Sequence, residues 1–169
     1  MEDLNDNSLP SPSLCQAFAC LPSEVGFSSA SFRVIIHGRE RELKAWLRDE
    51  VFLMGREAII NACRHARATH IGVEARYWPT ELHIVVRDNG CGIHPHTLRW
   101  GGNEHQGLRG MRQRAEKIGA RLRLRSRERA GTEVELFVPN HGAFQLQSSQ
   151  SLLGWLASID LRRRACAIQ

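Results

Sequence analysis

Leu82-His83-Ile84-Val85-Val86-Arg87-Asp88-Asn89-Gly90-Cys91-Gly92-Ile93 begins as an alternation and ends as a turn. Leu82, Ile84 and Val86 alternate with His83 and Arg87, the period of a strand with one buried face. The strand stops at a carboxylate, Asp88, and two glycines follow close behind it. Glycines there let the backbone turn sharply and lie against a planar ligand, while the carboxylate accepts hydrogen bonds from an amino group on that ligand. Asp-Asn-Gly is by itself also a common turn, so the surrounding chain has to decide between the two readings.

Immediately upstream, Ile71, Val73 and Ala75 alternate with His70, Glu74 and Arg76, and Trp78-Pro79-Thr80 separates this stretch from the first, which predicts a strand pair. Farther back, Phe32, Val34 and Ile36 alternate with Arg33, Ile35 and His37 as a strand with one buried face that Gly38 ends. Between these strands, Leu43 to Ala66 takes a helical period, with Phe52, Ile59, Cys63 and Ala66 on one stripe and a break expected near Arg48 or Asp49. Glu57, Asn61, Arg64 and His65 project from one side of that helix, roughly opposite the apolar stripe. A carboxylate, an amide oxygen and two cationic groups on one ridge suit a magnesium-phosphate group, since the amide oxygen ligates a hard cation and the bases meet phosphate oxygens. An ordinary solvated helix face accounts for the same residues.

Downstream, Asp88 to Gly107 holds five glycines, three histidines and one proline with little apolar periodicity. Ordered loops of that length are usually functional. Gly107-Leu108-Arg109-Gly110-Met111 then opens a helix with Leu108, Met111, Ala115 and Ile118 on one face and Gly119 to end it. Backbone N–H groups at such a helix start favour an anion such as phosphate, although glycine at a helix entry is common in any case. In Arg121 to Arg127 leucines alternate with arginines, and Val134, Leu136 and Val138 alternate with Glu133 and Glu135, so opposite charges meet across a last hairpin. The fold class is therefore α/β in the broad sense: a two-layer α+β sandwich in which a mostly antiparallel or mixed sheet of about five strands carries helices on one face and leaves the other wet.

The ends look different. Residues 1–31 are rich in Ser, Pro and Asn and read as a flexible leader with one short apolar patch, Leu14 to Leu21. Residues 32–140 hold the periodic domain, and 141–169 form a tail with an apolar run, Leu152 to Ile159, before Arg162-Arg163-Arg164. No apolar run approaches the roughly 18 to 20 residues that cross a bilayer, and Glu2, Asp3 and Asp6 stand where a secretory signal is basic, which predicts a cytoplasmic protein. The five cysteines are scattered without a CxxC pair, so reduced thiols are expected. The formal charge of +5 is concentrated between Arg87 and Arg129 and suits a polyanion, either nucleic acid or a nucleotide triphosphate.

Taken together, Arg56-Glu57-Ala58 with Asn61 and Arg64-His65-Ala66, then Asp88-Asn89-Gly90-Cys91-Gly92-Ile93, then Gly107-Leu108-Arg109-Gly110-Met111-Arg112-Gln113-Arg114-Ala115, then Gly131-Thr132, resemble the ATPase domain shared by gyrase, Hsp90, histidine kinases and MutL, usually called GHKL. Over about Phe32 to Pro139 they look like the short-lid sensor histidine kinases of nitrate-responsive and LuxR-partnered systems. That resemblance implies ATP and Mg2+ as cofactors. It makes Glu57 and Asn61 catalytic, Asn61 ligating magnesium with Glu57 as a base-like group near the same metal, and sets Arg64 and His65 beside the phosphates. It gives Asp88 the adenine amino group with support from Thr132, lets Gly90, Gly92 and Ile93 shape the pocket, and closes Gly107, Leu108, Gly110 and Met111 over the triphosphate.

The implied chemistry is phosphoryl transfer to a histidine nitrogen, with the protein mainly positioning the nucleotide and screening charge. In such kinases the accepting histidine lies on a two-helix dimerisation segment ahead of the ATPase domain. The first 31 residues contain no histidine, and His94, His96 and His105 fall in the presumed lid. The expectation is therefore a histidine supplied in trans, no self-phosphorylation in cis, and as partners a dimerisation domain and a response regulator of a parent kinase that is itself membrane-anchored or soluble. No nucleic acid is expected. Three other readings stay open: a nucleotide-binding regulatory module without turnover, an anti-sigma-type serine kinase, against which Arg112-Gln113-Arg114-Ala115 argues, and a nucleic-acid binder using Arg121, Arg123, Arg125 and Arg127.

Overall fold

The strand that carries Leu82, Ile84 and Val86 runs through the middle of a five-stranded sheet in a computed structural model that describes residues 13–26, 31–93, 106–140 and 144. Among the described residues, helix α1 (Leu14–Glu24) is followed by strand β1 (Ser31–His37), helix α2 (Ala45–His65) and strands β2 (His70–Tyr77) and β3 (Glu81–Asp88). Helix α3 (Gln106–Lys117) and strands β4 (Arg121–Arg127) and β5 (Gly131–Pro139) complete the order. The sheet order is β1-β2-β3-β5-β4, with β1 parallel to β2 and every other pair antiparallel. This is the mixed sheet with helices on one face that the alternations call for.

The register explains the core. Ile84 on β3 lies opposite Ala75 on β2 and Leu136 on β5, and Val86 lies opposite Val73 and Val134, so inward residues of three strands form one apolar floor. Onto it α2 lays Leu47, Val51, Met54 and Ala58, all buried. The stripe thus runs along residues 47, 51, 54, 58 and 62; of the four residues expected on it, Ile59 and Ala66 are buried, while Phe52 and Cys63 are only partly buried at its border. The small Ala58 and Ala62 carry little hydrophobic signal in the sequence, yet they let the helix approach the sheet closely. The expected break near Arg48 does not occur: α2 is continuous over 21 residues. No Gly or Pro interrupts its first turns, and Leu47, Glu50 and Val51 are all buried there. Glu50 accepts hydrogen bonds from Arg114 at 2.8 Å and Lys117 at 2.5 Å, which ties α2 to α3 and holds its carboxyl below the usual glutamate range.

Leu14 to Leu21, read from the sequence as a patch in an unpacked leader, is instead a core helix. Ser13 caps α1 in a reciprocal box with Gln16, and Leu14, Cys15, Phe18 and Leu21 form its buried face. Phe18 is fully buried and stacks on Phe52 with 5.8 Å between ring centroids. The surrounding Ser and Pro obscured this short amphipathic run, and Pro22 falls in the last turn, where its missing N–H leaves the Phe18 carbonyl without its helical donor.

The outer sheet face is likewise drier than the alternation suggests. Arg87 pairs with Glu133 and Glu74, and Arg125 pairs with Glu133 and Glu135. Arg121 and Arg123 lie over the Phe137 ring at 5.0 and 5.1 Å, and Val85 beside them is 2% exposed. Long arginine stems thereby cover apolar surface that a short polar residue would leave open. At the other edge, Phe32 and Val34 pack on the core but Ile36 lies beyond it, 44% exposed, so only the first part of β1 has the buried face expected of it. Phe144 pairs with Leu43 beneath the Arg41 guanidinium; residues 1–12 and 145–169, with the run from Leu152 to Ile159, lie outside the described residues. Among those described, no helix is long and apolar enough to cross a membrane.

Candidate functional site

Asp88 closes β3, and the chain after it is held from three sides. The Gly90 N–H donates to Asp88 Oδ1 at 2.8 Å, the Cys91 N–H to the Ala66 carbonyl at 2.7 Å, and the Ile93 N–H to Ser126 Oγ at 2.7 Å. A side chain at residue 90 would sit 2.1 Å from the Ala66 carbonyl oxygen, and Gly92 adopts φ +69°, so this path requires glycine at both positions. On the far side Asn89 Oδ1 accepts from the Thr69 and His70 N–H groups at 3.0 and 2.9 Å, pinning the end of β3 to the start of β2.

Between this loop, α2, α3 and the β4–β5 hairpin lies a cavity of about 520 Å³, within the usual range for small-molecule sites. Glu57, Asn61, His65, Asp88 and Thr132 supply its polar groups. Ala58, Ala62, Ile93, Leu108, Met111, Leu124 and Val134 are among its apolar walls. Asp88 is 7% exposed; burial pushes its carboxyl above the usual aspartate range, while the Gly90 and Thr132 N–H groups draw it back down. Asn61 Nδ2 donates to Glu57 Oε1 at 3.3 Å, which leaves the Asn61 amide oxygen and the rest of the Glu57 carboxylate as hard oxygen donors. Among the described residues no three His, Cys, Asp or Glu side chains form a metal cluster.

Of the residues singled out in the sequence, Glu57, Asn61, His65, Asp88, Gly92, Ile93, Gly107, Leu108, Met111 and Thr132 line this one cavity. Arg64 is exposed and does not line it, Gly90 is buried behind Asp88, and Gly110 faces open space. The polar ridge of α2 borders the apolar stripe rather than opposing it, which is why Asn61 and His65 share a wall with Ala58 and Ala62. Sequence reasoning passed over Ser126, although it stands at the inward position of the arginine-leucine alternation where a leucine would continue the pattern. The lid from residue 94 to 105, with its three histidines, lies outside the described residues.

A second hollow of similar volume opens on the outer face beside Asp88 and Thr132. Of its cations, Arg87 and Arg125 are already paired with Glu74, Glu133 and Glu135, so much of the charge those two carry is neutralised. The inner cavity, with unpaired acceptors and apolar walls, is the better ligand site.

The model of the family described as histidine kinase-, DNA gyrase B-, and HSP90-like ATPase matches residues 47–142. The chain is similar to the nitrate/nitrite sensor protein NarX of Escherichia coli, 36% identical over 87 residues that cover 51% of this chain and 14% of NarX. It is also similar to the sensor protein VraS of Staphylococcus saprophyticus, 30% identical over 106 residues that cover 62% of this chain and 30% of VraS. The chain thus spans a minor part of these relatives' length. Among solved structures, the histidine kinase domain of the Erythrobacter litoralis blue-light activated histidine kinase shares the fold with a TM-score of 0.62 at 23% identity, over 75% of this chain and 58% of that one. The mycobacterial sensor histidine kinase MprB does so with a TM-score of 0.57 at 19% identity, over 76% and 95%.

Proposed function

The chain belongs to the histidine kinase-, DNA gyrase B-, and HSP90-like ATPase family, and on that premise we propose that it binds Mg-ATP in the cavity between α2 and the Asp88 loop and transfers the γ-phosphoryl group to a histidine supplied in trans. The observation that carries this reading is that Asp88, a buried carboxylate, and Asn61, an amide with a free oxygen, line the same cavity. Asp88 accepts from the adenine amino group, and Ile93, Leu108 and Met111 give the base apolar walls. Asn61 and Glu57 face the phosphates, together with the positive end of α3 at Gly107.

Magnesium held by Asn61 and phosphate oxygens would supply charge screening on the transferring group. The protein's own part is to hold the nucleotide in line and keep Glu57 near the attacking nitrogen as a base-like group. The names of NarX and VraS, both sensor proteins, favour a two-component setting with a dimerisation domain and a response regulator as partners, in the cytoplasm where ATP is found. The arginine hairpin supports a nucleic-acid reading poorly, because Glu133 and Glu135 neutralise Arg125 across the strand pair.

The test is incubation of the full chain with γ-labelled ATP and a separately produced dimerisation domain from a similar sensor kinase. Labelled histidine on that domain, lost in Glu57→Gln, is expected. Tight ATP binding with no transfer to any supplied domain would instead favour a regulatory module without turnover.

A further inference from the structure

Ser126 on β4 stands directly opposite Thr132 on β5, and its hydroxyl meets three groups at once. The Ile93 N–H donates to Ser126 Oγ at 2.7 Å, the Gly131 carbonyl oxygen lies 3.1 Å away, and Thr132 Oγ1 lies 3.0 Å away. A hydroxyl has one proton and two acceptor positions. The carbonyl of Gly131 accepts only, so the proton of Ser126 goes there. The Ile93 N–H takes one acceptor position of Ser126. The remaining contact forms only when Thr132 donates its own proton to Ser126. This single arrangement satisfies all three contacts, and it leaves Thr132 with no proton to offer the cavity.

We propose that Ser126 is a positioning residue that fixes the Thr132 hydroxyl as a hydrogen-bond acceptor toward the cavity and so selects a purine with an amino group at C6 over one with a carbonyl at C6. The inference rests on the nucleotide reading of the cavity given above and deepens it. Thr132 and Asp88 occupy paired positions on β5 and β3, and both line the cavity. With the Thr132 proton directed at Ser126, the two side chains present only acceptors. An amino group donates to such a pair. A carbonyl oxygen at the same place of the base meets acceptor against acceptor, and a site built for one polarity rejects the other strongly because buried polar groups are left unmatched. Without the Ser126 hydroxyl, Thr132 rotates freely and can donate, so the floor of the site loses its fixed polarity. Ser126 touches no part of the nucleotide in this scheme; it acts through Thr132.

Calorimetric titration of the full chain with ATP and with GTP tests this without requiring turnover. The parent is expected to prefer ATP, and Ser126→Ala to narrow the ATP-to-GTP affinity ratio by about fivefold or more. Ser126→Thr, which restores the hydroxyl, should return the ratio to the parent's value. Thr132→Val should narrow the ratio as Ser126→Ala does while leaving the Ile93 contact to Ser126 intact, so it guards against a mere folding defect in the alanine variant. A Ser126→Ala variant that weakens both nucleotides by the same factor, or changes neither, overturns the proposal. A parent that binds both nucleotides equally overturns it too while leaving the site reading standing. A parent that binds neither overturns the site reading and this inference with it.

Discussion

Gly107 at the start of α3 lies directly against Glu57 of α2: a β-carbon at residue 107 would fall 2.0 Å from Glu57 Oε1. The lid-side helix therefore seats itself on the carboxylate assigned the base-like role, and only a residue without a side chain leaves that carboxylate where it is. Glu57 is a flexible side chain, so a methyl group there displaces it rather than unfolding the protein. Gly107→Ala is expected to keep its stability within about 1 kcal/mol of the parent's, as read from its thermal midpoint. Phosphoryl transfer to a supplied histidine should fall about tenfold or more because the carboxylate loses its position. Midpoint and transfer rate measured on the same preparation check both.

Asp88 should trade stability for function. Burial holds its folded pKa above its unfolded value, so the protonated form suits the folded state better. Its contribution is fully present below the unfolded aspartate value and is lost as pH rises through the folded one. Asp88→Asn has no charge to bury. Without ligand, the variant is therefore expected to be more stable than the parent at pH 7 by about 1 kcal/mol, an advantage that shrinks as pH falls toward about 4. Thermal melts of both proteins across that range test the sign.

Phe18 has no exposed surface and stacks on Phe52. If α1 is part of the core, Phe18→Ala should cost about 3 to 5 kcal/mol in chemical denaturation. A loss below about 1 kcal/mol would mean that α1 is not held on α2.

Much of this was legible in the sequence because the sheet writes its own period. Each inward residue of β3 and β5 was readable, and so were Asp88 and Gly92, whose places follow from where an alternation stops. What escaped depends on neighbours distant in the chain. The fully buried Phe18 reads as part of a polar leader until α2 is beside it. The continuity of α2 past Arg48 follows from burial of Leu47 and Val51 under α1 and the sheet, which local pattern does not show. Arg64 and Asn61 look equivalent on a helical ridge, yet the cavity takes Asn61 and leaves Arg64 in solvent, because only the sheet's position determines which side of the ridge is walled in. Ser126 has meaning only once Thr132 and Ile93 converge on it.

The central claim is that Asp88 and Asn61 serve one bound adenine nucleotide. Titration of the full chain with a non-hydrolysable ATP analogue, with and without magnesium, tests it most directly when repeated for Asp88→Asn and Asn61→Ala. The parent should bind in a magnesium-dependent way, Asp88→Asn should weaken binding about tenfold or more whether or not the metal is present, and Asn61→Ala should retain the metal-free affinity but lose the gain from magnesium. Undiminished binding by Asp88→Asn, or an unchanged response to magnesium in Asn61→Ala, would contradict the account.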